Sequence, residues 1–208
     1  MAKHKTIKRA TPKQHYMTKT ELLAKLKEEY SQCERCPELL KSRTQVVFGV
    51  GDPEKCKVVI IGEAPGARED ELGEPFVGKS GQLLNQFLKK INLTREEVYI
   101  TNTVLCRPPD NRNPKADELK NCRDRLNKHI EILKPKVVIT LGNFATRYLL
   151  ETKEGITTMR GTVHNKNGMH IIPMQHPAVL LYNGMAPAKV KEFDDDFNLV
   201  KGIIDKNN

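Results

Sequence analysis

Four of the five cysteines fall in the pattern C-x2-C-x69-C-x15-C: Cys33 and Cys36 in the run CERC, then Cys106 and Cys122. Thiolates are soft ligands for zinc or iron, and a CxxC pair can anchor one edge of a site that distant segments complete. Cys106 follows an apolar β-branched run and Cys122 lies in a helical pattern, so both can converge on the pair. A zinc ribbon more often uses two CxxC knuckles and the chain has one, which leans toward a 4Fe-4S cluster. Zinc, and plain burial of apolar thiols, stay open at this point. Cys56, between Lys55 and Lys57 at the start of a strand pattern, reads as structural.

A second run, GEPFVGKS at residues 73–80, satisfies the phosphate-loop pattern G-x-x-x-x-G-K-[ST]. Such a loop needs a strand feeding a glycine turn, backbone N–H groups aimed at phosphate and a helix start behind them. Here the preceding GAREDEL is polar and acidic, and Pro75 removes a donor. Glu69, Asp70, Glu71 and Glu74 would repel a triphosphate, and no later strand ends in an Asp suited to magnesium. No nucleotide triphosphate is expected as a partner.

The elements that must position these residues follow from periodicity. Four short β-branched runs, at 57–62, 98–105, 136–142 and 170–175, read as buried strands. Helical patterns alternate with them: TKTELLAKLKEEY with Thr18 and Glu21 in capping-box spacing, SGQLLNQFLKKI, a stretch with Pro114 at its first helical position, NFATRYLL, and a last helix near the C-terminus. Alternation predicts an α/β fold, three layers α/β/α around a central, mainly parallel four-stranded sheet. In such sheets ligands bind beyond the carboxyl ends of the strands. Residues 1–17 carry no acid and read as a basic flexible arm, leaving 18–208 as a single domain.

The formal net charge of +9 favours a polyanionic partner, nucleic acid first, because cations that neutralise phosphates release counterions. No apolar run approaches the roughly 18 residues that span a bilayer. The basic N-terminal stretch lacks the apolar core and cleavage site of a secretory signal. An intracellular protein, cytoplasmic or nucleoid-associated and without a membrane partner, is expected.

Beyond these readings, IIGEAPGARED, EPFVGKSGQLL, TNTVLCRPPDNRNP and MQHPAVLL, preceded by CERC, resemble the family-4 uracil-DNA glycosylases, the iron-sulfur branch of the uracil-DNA glycosylase superfamily. The resemblance runs from about Ser31 to the C-terminal helix. It implies an enzyme that flips uracil out of single- or double-stranded DNA and hydrolyses its N-glycosidic bond, acting as a monomer in base excision repair. It implies that Cys33, Cys36, Cys106 and Cys122 ligate a structural 4Fe-4S cluster. Phe76 would stack on the flipped base, Asn102 would pair with its polar edge and His176 would donate to its O2. Main-chain groups of Gly62, Glu63 and Ala64 would line the base, with the Glu63 carboxylate orienting water or stabilising the sugar cation.

Leu180, Leu181 and Tyr182 would wedge into the duplex, and Lys79 would meet a DNA phosphate. Another branch of the superfamily has Asp where Ala64 stands, and alanine cannot act as a base. The family commonly has Arg at Tyr182 and often an acid at Arg68, so phosphate contacts are not carried over at those positions. No KRRIH-like insertion follows the second strand, so covalent trapping of the product is not expected. The competing classes are a non-catalytic DNA-damage sensor on the same fold and a nucleotide switch dependent on Lys79.

Overall fold

The computed structural model describes residues 16–207, so nearly all of the expected basic arm lies outside the described residues. Thr18 caps α1 (Lys19–Ser31): its hydroxyl accepts the Glu21 amide at 3.2 Å, and the Glu21 carboxylate accepts the Thr18 amide at 2.8 Å. This reciprocal box satisfies two donors that a helix start leaves open. Leu23, Leu26 and Tyr30 then turn one face of α1 inward.

The four β-branched runs form β1 (Val58–Gly62), β2 (Val98–Asn102), β3 (Val137–Leu141) and, after an unforeseen strand β4 (His164–Lys166), β5 (Met169–Met174). The sheet order is β2-β1-β3-β5-β4, parallel except for β4, so the expected four-stranded sheet has five strands. Apolar pattern could not reveal β4, whose residues are His, Asn and Lys. The turn could: Asn167 and Gly168 both have positive φ, the signature of a two-residue hairpin loop. Short and polar, β4 covers the β5 edge, while an antiparallel bridge between Val50 and Ile100 covers part of the β2 edge.

Both sheet faces are buried. Val58 and Ile60 share one face with Ile100, Ile139 and Ile172, packed against α4 (Lys79–Lys90) and α9 (Pro187–Asn207). Val59 and Ile61 share the other with Val138 and Ile171, against α1, α5 (Ala116–Leu133) and α6 (Asn143–Leu150). A side-chain period of two with apolar residues on both faces gives the unbroken apolar runs of the sequence. The α5 helix starts later than expected, with Lys115 at its cap and Pro114 just outside it. Short helices fill the connections: α2 (Pro37–Ser42), α3 (Ala67–Leu72), α7 (Ile156–Met159) and α8 (Ala178–Tyr182).

The phosphate-loop look-alike is fed by α3 and not by a strand. Gly73 ends that helix in the left-handed conformation, φ 75°. Phe76 is also left-handed, φ 54°, an uncommon and costly state for a bulky residue. Gly81 makes this possible, since a Cβ there would sit 1.8 Å from the Phe76 carbonyl oxygen. Gly81→Ala is therefore expected to destabilise the protein by about 3 kcal/mol, as overpacking against backbone does, measured as a lowered urea midpoint.

Candidate functional site

A cavity of about 320 Å³ opens beyond the carboxyl ends of β1, β2 and β5. Glu63, Ala64, Phe76, Asn102 and His176 line it, together with Lys79 and Tyr182. The chain ends of three strands thus bring together residues spread over more than half the sequence. Gly62 lies beneath: a Cβ there would meet Asn102 Oδ1 at 2.4 Å and the Phe76 ring at 2.7 Å. The Gly62 and Glu63 carbonyls accept the Thr103 and Val104 amides at 2.9 and 3.0 Å, locking the β1 exit beside the β2 exit.

Asn102 is 2% exposed, and its Oδ1 has no hydrogen-bond partner. Leaving a buried acceptor unpaired costs about 1–3 kcal/mol, which a ligand N–H would return. Its backbone is held from behind by Arg125 of α5, whose Nη2 donates to the Asn102 and Thr103 carbonyls at 2.7 and 2.9 Å. The Nη1 of the same fully buried guanidinium donates to Thr101 Oγ1 at 3.2 Å.

The Phe76 and His176 rings lie 5.4 Å apart with a 31° tilt. The Nδ1 of His176 accepts the Ala178 amide at 3.2 Å. A backbone N–H can only donate, so in the neutral ring the proton sits on Nε2. Burial pushes His176 down to about 4, opposed by the charge of Glu69. Burial also raises the Glu63 carboxyl above its ordinary value. The site therefore offers a neutral ring donor, an unpaired amide acceptor, an aromatic face and a carboxyl with raised proton affinity.

The proposed wedge needs one correction. Leu180 is fully buried in the core face that carries α4 and cannot reach a duplex, whereas Leu181 is 38% and Tyr182 88% exposed. The nearby Arg68 is paired with Glu71 on the surface. Two contributors escaped sequence reading: Arg125, because nothing local marks a helix arginine as buried, and Glu69, which lines the cavity but read only as part of an acidic run.

Cys33, Cys36, Cys106 and Cys122 line a second, smaller cavity between α1, α2 and α5. Arg43 Nη1 donates to Cys106 Sγ at 2.9 Å and Asn121 Nδ2 to Cys36 Sγ at 3.4 Å. Burial pushes the Cys106 thiol up to about 11, with Arg43 opposing. Among the described residues no three His, Cys, Asp or Glu side chains close on a single ion. Cys56 stands apart, its thiol donating to the Val58 carbonyl at 3.3 Å.

The sequence model of the Uracil DNA glycosylase superfamily matches residues 48–198, which include every wall of the large cavity. The chain belongs to that superfamily. It is 40% identical to a type-4 uracil-DNA glycosylase of Sulfurisphaera tokodaii, over 87% of this chain and 84% of that protein. The type-4 uracil-DNA glycosylases of Archaeoglobus fulgidus (38% identical, 86% of this chain, 91% of that one) and Saccharolobus solfataricus (42%, 84% and 82%) are similar. A stretch covering 87% of the chain spans the positions of all four cysteines wherever it is placed.

The His176 geometry predicts a neutral ring protonated on Nε2 throughout the neutral range. Its charge should appear only as pH falls through about 4. Long-range nitrogen–proton NMR of the imidazole, titrated downward from pH 7, checks both the tautomer and the midpoint.

Proposed function

We propose that the protein is a uracil-DNA glycosylase of the type-4 kind, which flips uracil out of DNA and hydrolyses its N-glycosidic bond for base excision repair. The observation that carries this reading is the unpaired, buried Asn102 Oδ1 in a cavity also walled by Phe76 and His176. A carboxamide can accept from uracil N3–H and donate to O4, whereas cytosine presents the opposite pattern at both atoms. Phe76 then stacks on the base, and the backbone of Gly62, Glu63 and Ala64 closes its side.

Bond breaking leaves negative charge on uracil and positive charge on the sugar. His176 Nε2–H donates to O2 as that charge develops, and as a neutral donor it need not surrender its proton. Glu63, as the carboxylate, orients the water that adds to C1′ or stabilises the sugar cation; Ala64 supplies no base. Lys79 meets a DNA phosphate, and Leu181 with Tyr182 fills the gap the base leaves, on single or double strands. The covered sheet edges support a monomer.

The four cysteines share one cavity and supply the four thiolates that a 4Fe-4S cluster needs. Two of the sulfurs already accept side-chain hydrogen bonds, as cluster thiolates do. The cluster would tie the CERC turn, the segment after β2 and α5 together, and the hydrolysis needs no electron from it.

Purified protein mixed with DNA carrying one uracil, then treated with alkali, should cut the strand at that position; an intact strand at enzyme excess sinks the reading. Asn102→Ala and His176→Ala should each lower single-turnover rate by about 100-fold or more while keeping the fold. Because Glu63 works as the carboxylate and its pKa is raised, kcat/KM should fall on acidification above the ordinary glutamate value of 4.5. Glu63→Gln should lower the rate and abolish that limb. Iron and acid-labile sulfide at about four each per chain, lost in Cys106→Ser, would bear out the cluster.

A further inference from the structure

The turn that carries Phe76 is clamped from both sides. Arg95 Nη2 donates to the Pro75 carbonyl. On the other side Glu69 Oε1, from α3, accepts the Val77 amide at 3.0 Å and the Gly78 amide at 2.8 Å. These amides stand at the start of α4, where donors lack intrahelical partners and a negative charge is favoured by the helix dipole. Gly66 and Gly78 leave room for the carboxylate: a Cβ on Gly66 would lie 2.8 Å from Oε2, and one on Gly78 3.2 Å from Oε1. Glu69 also lines the cavity, and His176 senses its charge.

We propose that Glu69 is a positioning residue for the glycosylase reaction, fixing the Phe76 ring through its two hydrogen bonds to the amides that follow that ring. The role rests on the functional reading above. It also accounts for the phosphate-loop pattern of residues 73–80. The donors that a phosphate would need are taken by an internal carboxylate, so the turn carries a ring where a nucleotide loop carries an anion.

Both bonds go to one oxygen, which separates the accepting atom from the charge. Glu69→Gln keeps an oxygen able to accept both amides; Glu69→Ala removes it. Hydrogen exchange of the free protein, read by NMR without DNA, should show Val77 and Gly78 amides protected in the wild type and in Glu69→Gln, and unprotected in Glu69→Ala. On uracil-containing DNA, Glu69→Ala should lose about 100-fold in kcat/KM, the scale of a misplaced binding group, with weakened inhibition by free uracil. Glu69→Gln should stay within about fivefold, and added formate, supplying the missing acceptor, should restore about tenfold to Glu69→Ala.

If Glu69→Ala does not fold, Gly66→Ala, whose methyl displaces the carboxylate, should reproduce the loss. The proposal is overturned if the alanine variant keeps wild-type kcat/KM and uracil inhibition, or if the glutamine variant is as impaired as the alanine one. A wild-type protein that releases no uracil would sink the functional reading alone, because amide protection reports the clamp without substrate.

Discussion

Beyond Gly62, the partner strand β1 ends, and the carbonyls of Asn102 and Thr103 at the β2 exit turn into the protein with no strand left to pair them. Arg125 supplies the donors for both, from the middle of α5. Unpaired buried carbonyls are costly. A fully buried guanidinium is costly too, and burial lowers its pKa while the thiol of Cys122, one turn earlier, acts to raise it. Three hydrogen bonds from its Nη1 and Nη2 oppose that cost and hold the backbone of Asn102. Asn102 therefore depends on a helix that also carries Cys122 of the cysteine site. Pocket and cysteines share α5 as a common support.

Sequence alone disclosed much of this arrangement, for definable reasons. Strands buried on both faces announce themselves as β-branched runs, and the ligand site of an alternating sheet lies at strand ends. Glu63, Asn102 and His176 follow those ends directly. The short polar β4 was invisible to the apolar pattern, though Asn167-Gly168 announced its turn. Leu180 looked like part of a wedge because adjacent leucines are indistinguishable until the turn of α8 sends one inward and the next outward. Arg125 and Glu69 act on backbone groups 22 to 23 and 8 to 9 residues away. No local spacing rule marks such bonds; they exist only once the layers have packed.

The acidic run before GEPFVGKS is instructive in the same way. Read as a block of charge, it argues only against an anion. In the fold its members part company: Asp70 turns inward to accept the Thr44 amide at 2.8 Å, Glu69 turns toward the cavity, and Glu71 pairs with Arg68 at the surface. One turn of helix thus fastens a distant loop and the aromatic turn while showing a third carboxylate to water.

The left-handed Phe76 carries a thermodynamic consequence. Backbone in that state costs about 1–3 kcal/mol, and the chain meets this cost once, during folding, through the close approach of Gly81. A ring already immobilised loses almost no rotational freedom when a flat ligand settles on it, so association is spared an entropic penalty that a mobile aromatic would incur at every encounter. Under the function proposed above, a base that has given up its stacking in the helix would meet a surface already in its final orientation, so the two losses fall at different times, one at the birth of the protein and the other at each lesion.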